Sequence, residues 1–308
     1  MDRLDVAIVR SLFQGEFGAP MRGDLMLTSA SIAKRLHVGN QTVRDRVKKM
    51  MDSGFLKPPP LFLNPEILGR QVGVLSFDIP AAANRAEIVQ RIALMDGIIV
   101  VMSHVGGLLG VVFYYDETSM ERRIGFFSRM VGVDKYTFTQ VPFPHFRLRL
   151  SKTDWKIIIG LKANTDRSYN GLAKELGLSG RTVKRRLDRL IRGGGVYAFP
   201  SADPKFLKQA VLTSLVVDYS PSAVRKEVDR RLVAEFDESL FFAGLWTSYS
   251  VLALILPSVQ ASREAVERAR RVNGVEKARI DIVEDRVESQ YVPSRAPEGK
   301  RNVGVGFV

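Results

Sequence analysis

The sequence has no cysteine, only three histidines and no apolar run long enough to span a bilayer. Without cysteine there can be no disulfide, no thiolate zinc site and no cysteine nucleophile. His37, His104 and His145 lack metal-ligand spacing, so no metal or other cofactor is expected. The most apolar stretch, 249–257, is well short of the roughly 20 residues that a membrane helix needs. These absences predict a cytoplasmic protein that does not contact membranes.

The excess of positive over negative charge comes from two segments of the chain. The net charge is +13, from 46 Lys and Arg against 33 Asp and Glu. Residues 1–60 hold 10 of these cations against 6 acids and residues 145–200 hold 13 against 4, which accounts for the whole excess. The 45% apolar content is sufficient for packed cores, and 308 residues suggest two to four domains. A localised basic charge on folded domains favours a polyanion as partner.

The more basic segment contains a helix-turn-helix pattern at residues 172–196. The first helix has one apolar face and is followed by Gly177, which permits a sharp exit. Ser179 is a good N-cap for the second helix. The apolar stripe of that helix consists of Val183, Leu187 and Leu190. Because the rest of its surface is cationic, this helix has the size and charge to lie in a DNA major groove.

The same pattern occurs 140 residues earlier, at residues 32–56. Thr42 aligns with Thr182, and Arg46 aligns with Arg186. The helices that precede the two copies also match, with an offset of 149, so the first copy carries extra residues near 15–27. The sequence therefore predicts a tandem duplication.

The apolar segments after each copy predict the order strand, helix, strand, strand, helix, strand, the last strand being at 275–283. This is the order of a ferredoxin-like βαββαβ sandwich. The predicted fold class is α+β, with two copies of a winged helix-turn-helix followed by a ferredoxin-like sandwich, forming a pseudo-dimer. The predicted domains are winged helix-turn-helix 1 (1–60), ferredoxin-like domain 1 (61–144), winged helix-turn-helix 2 (145–200), ferredoxin-like domain 2 (201–292) and a tail (293–308).

The run L-A-x-x-L-G-L-S-x-x-T-V-x-x-R-L-x-x-L at 172–190, with D-x-x-I-I at 154–158, resembles the Lrp/AsnC (feast/famine) family of prokaryotic transcription regulators. The resemblance covers almost the whole chain as two copies. It implies a DNA-binding domain joined to a ferredoxin-like regulatory domain that pairs sheet to sheet. It therefore implies a homo-oligomer, an internal pseudo-dimer or both, and an amino-acid effector.

In a helix-turn-helix, residues at the start of the recognition helix reach base edges, and later or flanking residues contact phosphates. The predicted base-reading residues are Asn40, Gln41, Arg44, Asp45, Gly180, Arg181, Lys184 and Arg185. The predicted phosphate contacts are Lys48, Lys49, Arg186, Arg189 and Arg192. Arg46 and Arg186 could equally form salt bridges at the helix base, and Thr42 and Thr182 could contact phosphate or cap the helix. Because the two copies differ at nearly every reading position, two unequal half-sites are predicted.

The resemblance places an effector pocket near the central hairpin of each ferredoxin-like domain. The candidate effector-binding residues are His104, Gly106, Gly107 and Trp246. Family members usually carry an acid after a glycine in this hairpin, and neither hairpin of this chain has one. A surface or interface role for His104 and a geometric role for the glycines are the alternatives.

Together these features predict a sequence-specific transcription regulator that binds double-stranded DNA, associates with the nucleoid and has no enzymatic activity. One alternative is a low-specificity architectural DNA-binding protein or an RNA binder. The other is an enzyme resembling siroheme decarboxylases, which have a similar plan and are expected to place His and Arg in the central strands. Segments 100–107 and 241–250 contain only His104 and no arginine.

Overall fold

The computed structural model describes residues 1–13, 29–57, 61–80, 83–146, 148–163, 169–198, 201–245 and 249–289. The predicted extra loop near 15–27, the predicted tail and Trp246 lie outside these ranges. The helices are α1 (Arg3–Phe13), α2 (Ser29–Leu36), α3 (Asn40–Asp52), α4 (Pro65–Leu68), α5 (Arg85–Ala93), α6 (Met120–Val131), α7 (Lys152–Ala163), α8 (Tyr169–Leu176), α9 (Gly180–Arg192), α10 (Arg225–Glu235) and α11 (Val259–Arg270). In the described part of the chain, none of them combines the length and apolar character needed to cross a membrane.

The strands are β1 (Leu56–Lys57), β2 (Leu61–Leu63), β3 (Gln71–Asp78), β4 (Ile98–His104), β5 (Leu108–Tyr115), β6 (Tyr136–Val141), β7 (Val196–Ala198), β8 (Ser201–Ala202), β9 (Val211–Tyr219), β10 (Leu240–Leu245), β11 (Tyr249–Leu256) and β12 (Val275–Glu288). Strand, helix, strand, strand, helix, strand is the order over residues 71–141 and again over 211–288. The structure confirms the α+β class. We call α1–α3 the first head and α7–α9 the second head.

Eight strands form one antiparallel sheet in the order β10-β11-β9-β12-β4-β5-β3-β6. Each half of it has the order that a ferredoxin-like sandwich requires, and β12 joins the halves by pairing with β9 on one side and β4 on the other. The prediction that the last strand ends near residue 283 is wrong, because the strand continues to Glu288. The pairing changes from β9 to β4 at Val283, next to a register shift before Asp285.

Apolar side chains are buried on both faces of this sheet. One face of each half packs against its own two helices, in clusters around Phe113 and Leu232. Side chains of the opposite faces of the two halves, including Val100 and Phe241, share a third cluster with the first head. The sequence pattern of continuous apolar strands is explained by this double burial.

The segments that follow the two heads pair with each other. Strand β1 pairs with β8, and β2 pairs with β7. The fully buried Asn64 stabilises this junction, because its amide nitrogen donates to the carbonyl oxygens of Pro144 at 2.8 Å and Gly194 at 2.9 Å. In the other segment Asp203 accepts from the ammonium of Lys57 at 2.7 Å. The segment that leads from each head to the sheet is thus held by pairing with the segment that follows the other head.

Candidate nucleic-acid interface

Helix α9 is docked by its apolar stripe and capped at its start. Val183, Leu187 and Leu190 are all buried. The hydroxyl of Ser179 accepts from the backbone nitrogen of Thr182 at 3.1 Å, which confirms the predicted N-cap. Thr182 itself contacts the Ser179 hydroxyl at 2.9 Å, so its side chain takes part in the cap. These contacts fix the start of the helix, where base-reading side chains of a helix-turn-helix lie.

The opposite side of α9 presents cations to solvent. Arg181, Lys184 and Arg185 are exposed, and none forms an ion pair among the described residues. Gly180 lies so close to Asn170 that an added methyl group would be 2.2 Å from the amide oxygen. The predicted base-reading positions of this copy therefore form one solvent-facing cationic surface at the start of the helix.

Two further arginines of α9 are held by one buried carboxylate. Asp154, at the start of α7, is 0% exposed and accepts from Arg186 at 3.1 Å and Arg189 at 2.7 Å. Burial opposes ionisation of Asp154, but hydrogen bonds from Ser151 and Arg186 and the charge of Arg189 outweigh it and lower the pKa of the carboxyl. Arg186 and Arg189, predicted as phosphate contacts, therefore join α7 to α9. Arg192, the remaining predicted phosphate contact of α9, is exposed and donates to the carbonyl oxygen of Asp188 at 3.2 Å.

Like α9, helix α3 is packed by apolar residues on one side and exposed on the other, but it carries less positive charge than α9. Val43 and Met50 are buried, and the N-cap Gly39 offers no side-chain bond. Gln41, the predicted adenine reader, donates to Asp45 at 2.8 Å. The other predicted contact residues that are exposed on this helix are Asn40, Thr42, Arg44, Lys48 and Lys49.

Arg46 is the counterpart of Arg186 and is likewise used within the protein. Its guanidinium donates to Asp2 at 2.7 Å and to Asp5 at 2.8 Å, which ties α3 to the start of α1. The hydrogen bond from Arg46 lowers the pKa of Asp2. Of the two roles considered for the shared arginine, the structure shows the salt bridge in both heads. Asp2, Asp5 and Asp154 were missed by sequence reasoning, although an acid at the start of the first helix in both copies was a signal for them.

His104, one of the predicted effector residues, lies where β4 meets β12. His104 is 4% exposed, and its Nδ1 donates to the carbonyl oxygen of Leu108 at 3.1 Å. Its Nε2 lies 3.4 Å from the hydroxyl of Ser214 in the other half of the sheet. Burial lowers the pKa of His104, and the bond to Leu108 only partly offsets this.

The hairpin glycines have separate surroundings. Gly107 has φ +95°, and an added methyl group would lie 2.9 Å from the carbonyl oxygen of Ile79. The turn therefore requires glycine at 107, whereas Gly106 faces open space. The structure brings His104, Gly106 and Gly107 into one hairpin, and Trp246 lies outside the described residues.

The family comparison matches the second head. The AsnC-type helix-turn-helix domain matches residues 150–191. The HTH-type transcriptional regulator Ptr1 of Methanocaldococcus jannaschii is 33% identical over 90 residues, which cover 29% of this chain and 60% of that regulator. The chain thus spans less than two thirds of the curated relative. The matches support a DNA-binding transcription regulator.

The structural comparisons extend over more of the chain. The siroheme decarboxylase NirDL, in complex with an iron-uroporphyrin III analogue, superposes with a TM-score of 0.55 and 13% identity, covering 93% of this chain and 94% of the enzyme. AsnC of E. coli covers 49% of this chain with a TM-score of 0.33 and 18% identity. The likeness to the decarboxylase shows a shared fold over nearly the whole molecule.

This likeness contradicts the prediction that the protein has no enzymatic activity. The prediction rested on the helix-turn-helix sequences and on the scarcity of histidine and arginine in two central segments. The whole-chain fold is, however, that of an enzyme. The neighbouring strand β12 carries an ion pair of Asp281 and Arg279 at 3.5 Å, and the charge of Asp281 raises the pKa of His104 whereas that of Arg279 lowers it. The scarcity of arginine in those two segments therefore did not exclude an arginine on the strand next to β4.

Proposed function

We propose that the protein is a sequence-specific transcription regulator whose recognition helices, α3 and α9, enter the DNA major groove. The observation that carries the proposal is the exposed face of α9. Arg181, Lys184 and Arg185 lie there outside any ion pair among the described residues, on a helix of AsnC type. Arginine can bind guanine edges with two hydrogen bonds, and both residue types bind phosphates.

The proposal also treats the chain as a tandem duplication that pairs with itself. The predicted domains 1–60, 61–144, 145–200 and 201–292 would then form an internal pseudo-dimer with two unequal heads. The paired segments β1–β8 and β2–β7 and the apolar cluster shared by both halves support this arrangement. Further association of whole chains through the ferredoxin-like domains follows from the resemblance to the family.

The test is selection of genomic fragments by the purified protein, followed by sequencing. Wild-type protein is expected to enrich a recurrent asymmetric motif, and an R181Q/R185Q variant is expected to lose that enrichment. Uniform coverage would contradict sequence specificity and favour an architectural protein. Recovery of no DNA at all would contradict DNA binding.

A second candidate is an enzyme that acts on a tetrapyrrole. The whole-chain fold of the siroheme decarboxylase favours it, and His104 with Arg279 on the adjacent strand is the pair of residues that such a site would use. Titration with siroheme, followed by absorbance, tests it. A saturable spectral change should be lost in H104A and retained in H37A, whose histidine is exposed in the first head. A spectrum unchanged by the protein would remove this candidate.

An effector belongs to the regulator proposal. A ligand at the hairpin of His104, Gly106 and Gly107 would contact the place where the two halves of the sheet meet. Trp246 is the candidate that the sequence offers in the second ferredoxin-like domain. A screen of the twenty amino acids by thermal shift tests this, with a shift for one of them expected in wild type and lost in H104A.

A further inference from the structure

The first head packs directly against the eight-stranded sheet. Its core residues belong to the same apolar cluster as the sheet residues Val100 and Phe241. Helix α1 lies beside β10, and Arg10 donates to the carbonyl oxygen of Asp237 at 3.0 Å while also pairing with its carboxylate. Arg3 pairs with Glu238 at 3.0 Å. Any movement of this head would expose core surface and break these ion pairs.

The second head has a core of its own. Its buried side chains cluster with each other. Leu63 and Leu68, in the segment that leads to β3, pack against this cluster from outside the head. In the other half of the molecule, α7 corresponds to α1 and β4 corresponds to β10. No contact comparable to that of α1 with β10 is found between α7 and β4 among the described residues. The last part of β12, from Asp285 to Glu288, pairs with β4 instead. The second head is therefore attached mainly through the β2–β7 pair and the bonds of Asn64.

Ion pairs widen the difference in charge between the two recognition helices. Helix α3 carries a net +2 and α9 a net +5. In the first head two carboxylates, Asp2 and Asp5, face the single Arg46. In the second head the single Asp154 faces two arginines. With these partners included, the recognition surface is neutral in the first head and remains at +4 in the second.

We infer that most of the affinity for DNA comes from one head: α9 provides the main contacts to DNA phosphates, whereas the first head is fixed to the sheet and α3 adds little to the affinity. The inference rests on the proposed DNA-binding function and assigns it to the second head. Phosphate contacts supply most of the affinity of such complexes, and a head with few anchoring contacts can adjust to the duplex. The AsnC-type sequence match also falls on the second head, at residues 150–191.

The experiment compares two matched pairs of substitutions in the full chain. R181Q/R185Q removes two exposed cations from α9 and R44Q/K48Q removes two from α3, and none of the four forms an ion pair within the part of the chain that the structure describes. Binding to a fluorescein-labelled 30-base-pair duplex of mixed sequence is measured by anisotropy at several KCl concentrations. Circular dichroism and tryptophan fluorescence check that both variants are folded.

On a duplex of mixed sequence, Arg181 and Arg185 are expected to contact phosphates rather than guanine edges. The α9 pair is therefore expected to weaken binding by about tenfold or more at low salt and to reduce the slope of log K against log salt by about 1.8, the loss of two phosphate contacts. The α3 pair should change affinity by less than about threefold and leave the slope unchanged. Equal losses from the two pairs, or a larger loss from the α3 pair, would overturn the inference and leave the proposed function intact. Wild-type protein without salt-dependent binding would overturn the proposed function itself, and the inference with it.

Discussion

Ion pairs with carboxylates of the preceding helices determine which basic side chains of the recognition helices are available to bind a partner. Asp154 binds Arg186 and Arg189, so these two arginines connect helices of the second head. Arg181 and Arg185, on the same helix, have no such partner among the described residues and remain free to contact DNA. Electrostatic arguments from composition alone would have counted all four as equal.

Replacing Asp154 by asparagine should destabilise the second head by about 2 kcal/mol, because two charged hydrogen bonds are lost from a buried acceptor. The lowered pKa means that this stabilisation is present above the ordinary carboxyl pKa of about 3.9 and is lost as the pH falls through the folded value. The difference between wild type and D154N should therefore narrow at acid pH. Urea unfolding in a W246F background, followed by Trp155 fluorescence at pH 7 and pH 3, measures it, with D188N as the control. An equal difference at both pH values would contradict the prediction.

His104 should make the junction between the halves of the sheet sensitive to acid. Because burial lowers its pKa, the unfolded chain binds more protons than the folded one below about pH 6.5, and stability should fall as the pH decreases. H104L removes this titration and should show a flatter stability curve between pH 8 and pH 5. At pH 8 it should be less stable by about 1 kcal/mol, because the Leu108 carbonyl loses its donor.

Denaturant unfolding at a series of pH values provides the measurement. H37N is the control, since His37 is exposed with φ +53°, a conformation that asparagine tolerates. A curve for H104L as steep as that of wild type would rule out His104 as the source of the acid sensitivity.

At the scale of elements, the paired segments after the heads are the main connection between head and sheet. Asn64 and Asp203 occupy the same place in the two segments, and each caps the short helical turn that follows it. The amide of Asn64 donates to two carbonyl oxygens, whereas the carboxylate of Asp203 accepts from Lys57. Asn64 has an amide nitrogen where Asp203 has a second carboxylate oxygen. Asn64 can therefore donate to carbonyl oxygens, whereas Asp203 can only accept, here from an ammonium group.

N64D should destabilise the protein by about 2–3 kcal/mol, because it keeps the cap acceptor but sets an oxygen against the carbonyls of Pro144 and Gly194. The reverse change, D203N, keeps the bond to the Lys205 nitrogen and loses only the ion pair with the half-exposed Lys57. It should cost about 1 kcal/mol or less. Chemical denaturation compares the two. Equal losses would show that the pairing of the segments does not depend on the Asn64 amide.

For the molecule as a whole, the two heads should differ in how they unfold. The first head shares its core with the sheet, whereas the second head has a small core of its own. In a W246F variant Trp155, on α7, is the only tryptophan. Its fluorescence should change at a lower temperature than the far-ultraviolet circular dichroism of the sheet. Coincident transitions would indicate a single cooperative unit and would contradict this view of the second head.

Local features of the sequence predicted the helices of the second head, the cap at Ser179 and the α+β class. The stripe of Val183, Leu187 and Leu190 and the cap at Ser179 depend on residues within one or two turns, so periodicity and hydrogen-bonding chemistry were sufficient. The solvent-facing cations of α9 followed from the same pattern. The roles of Arg46, Arg186 and Arg189 could not be predicted in this way, because their acid partners lie 32 to 44 residues away.

The sequence by itself therefore determined the helices of two basic segments and the order of the strands and helices that follow each of them, since these depend on side-chain periodicity, capping and charge within short segments. Only the tertiary structure decided that β12 continues onto β4, that α1 lies beside β10 and that Asn64 joins the two segments. Such contacts connect residues as far as 130 and 227 positions apart. They are fixed by which surfaces can be buried together, and that is a property of the whole chain rather than of any part of it.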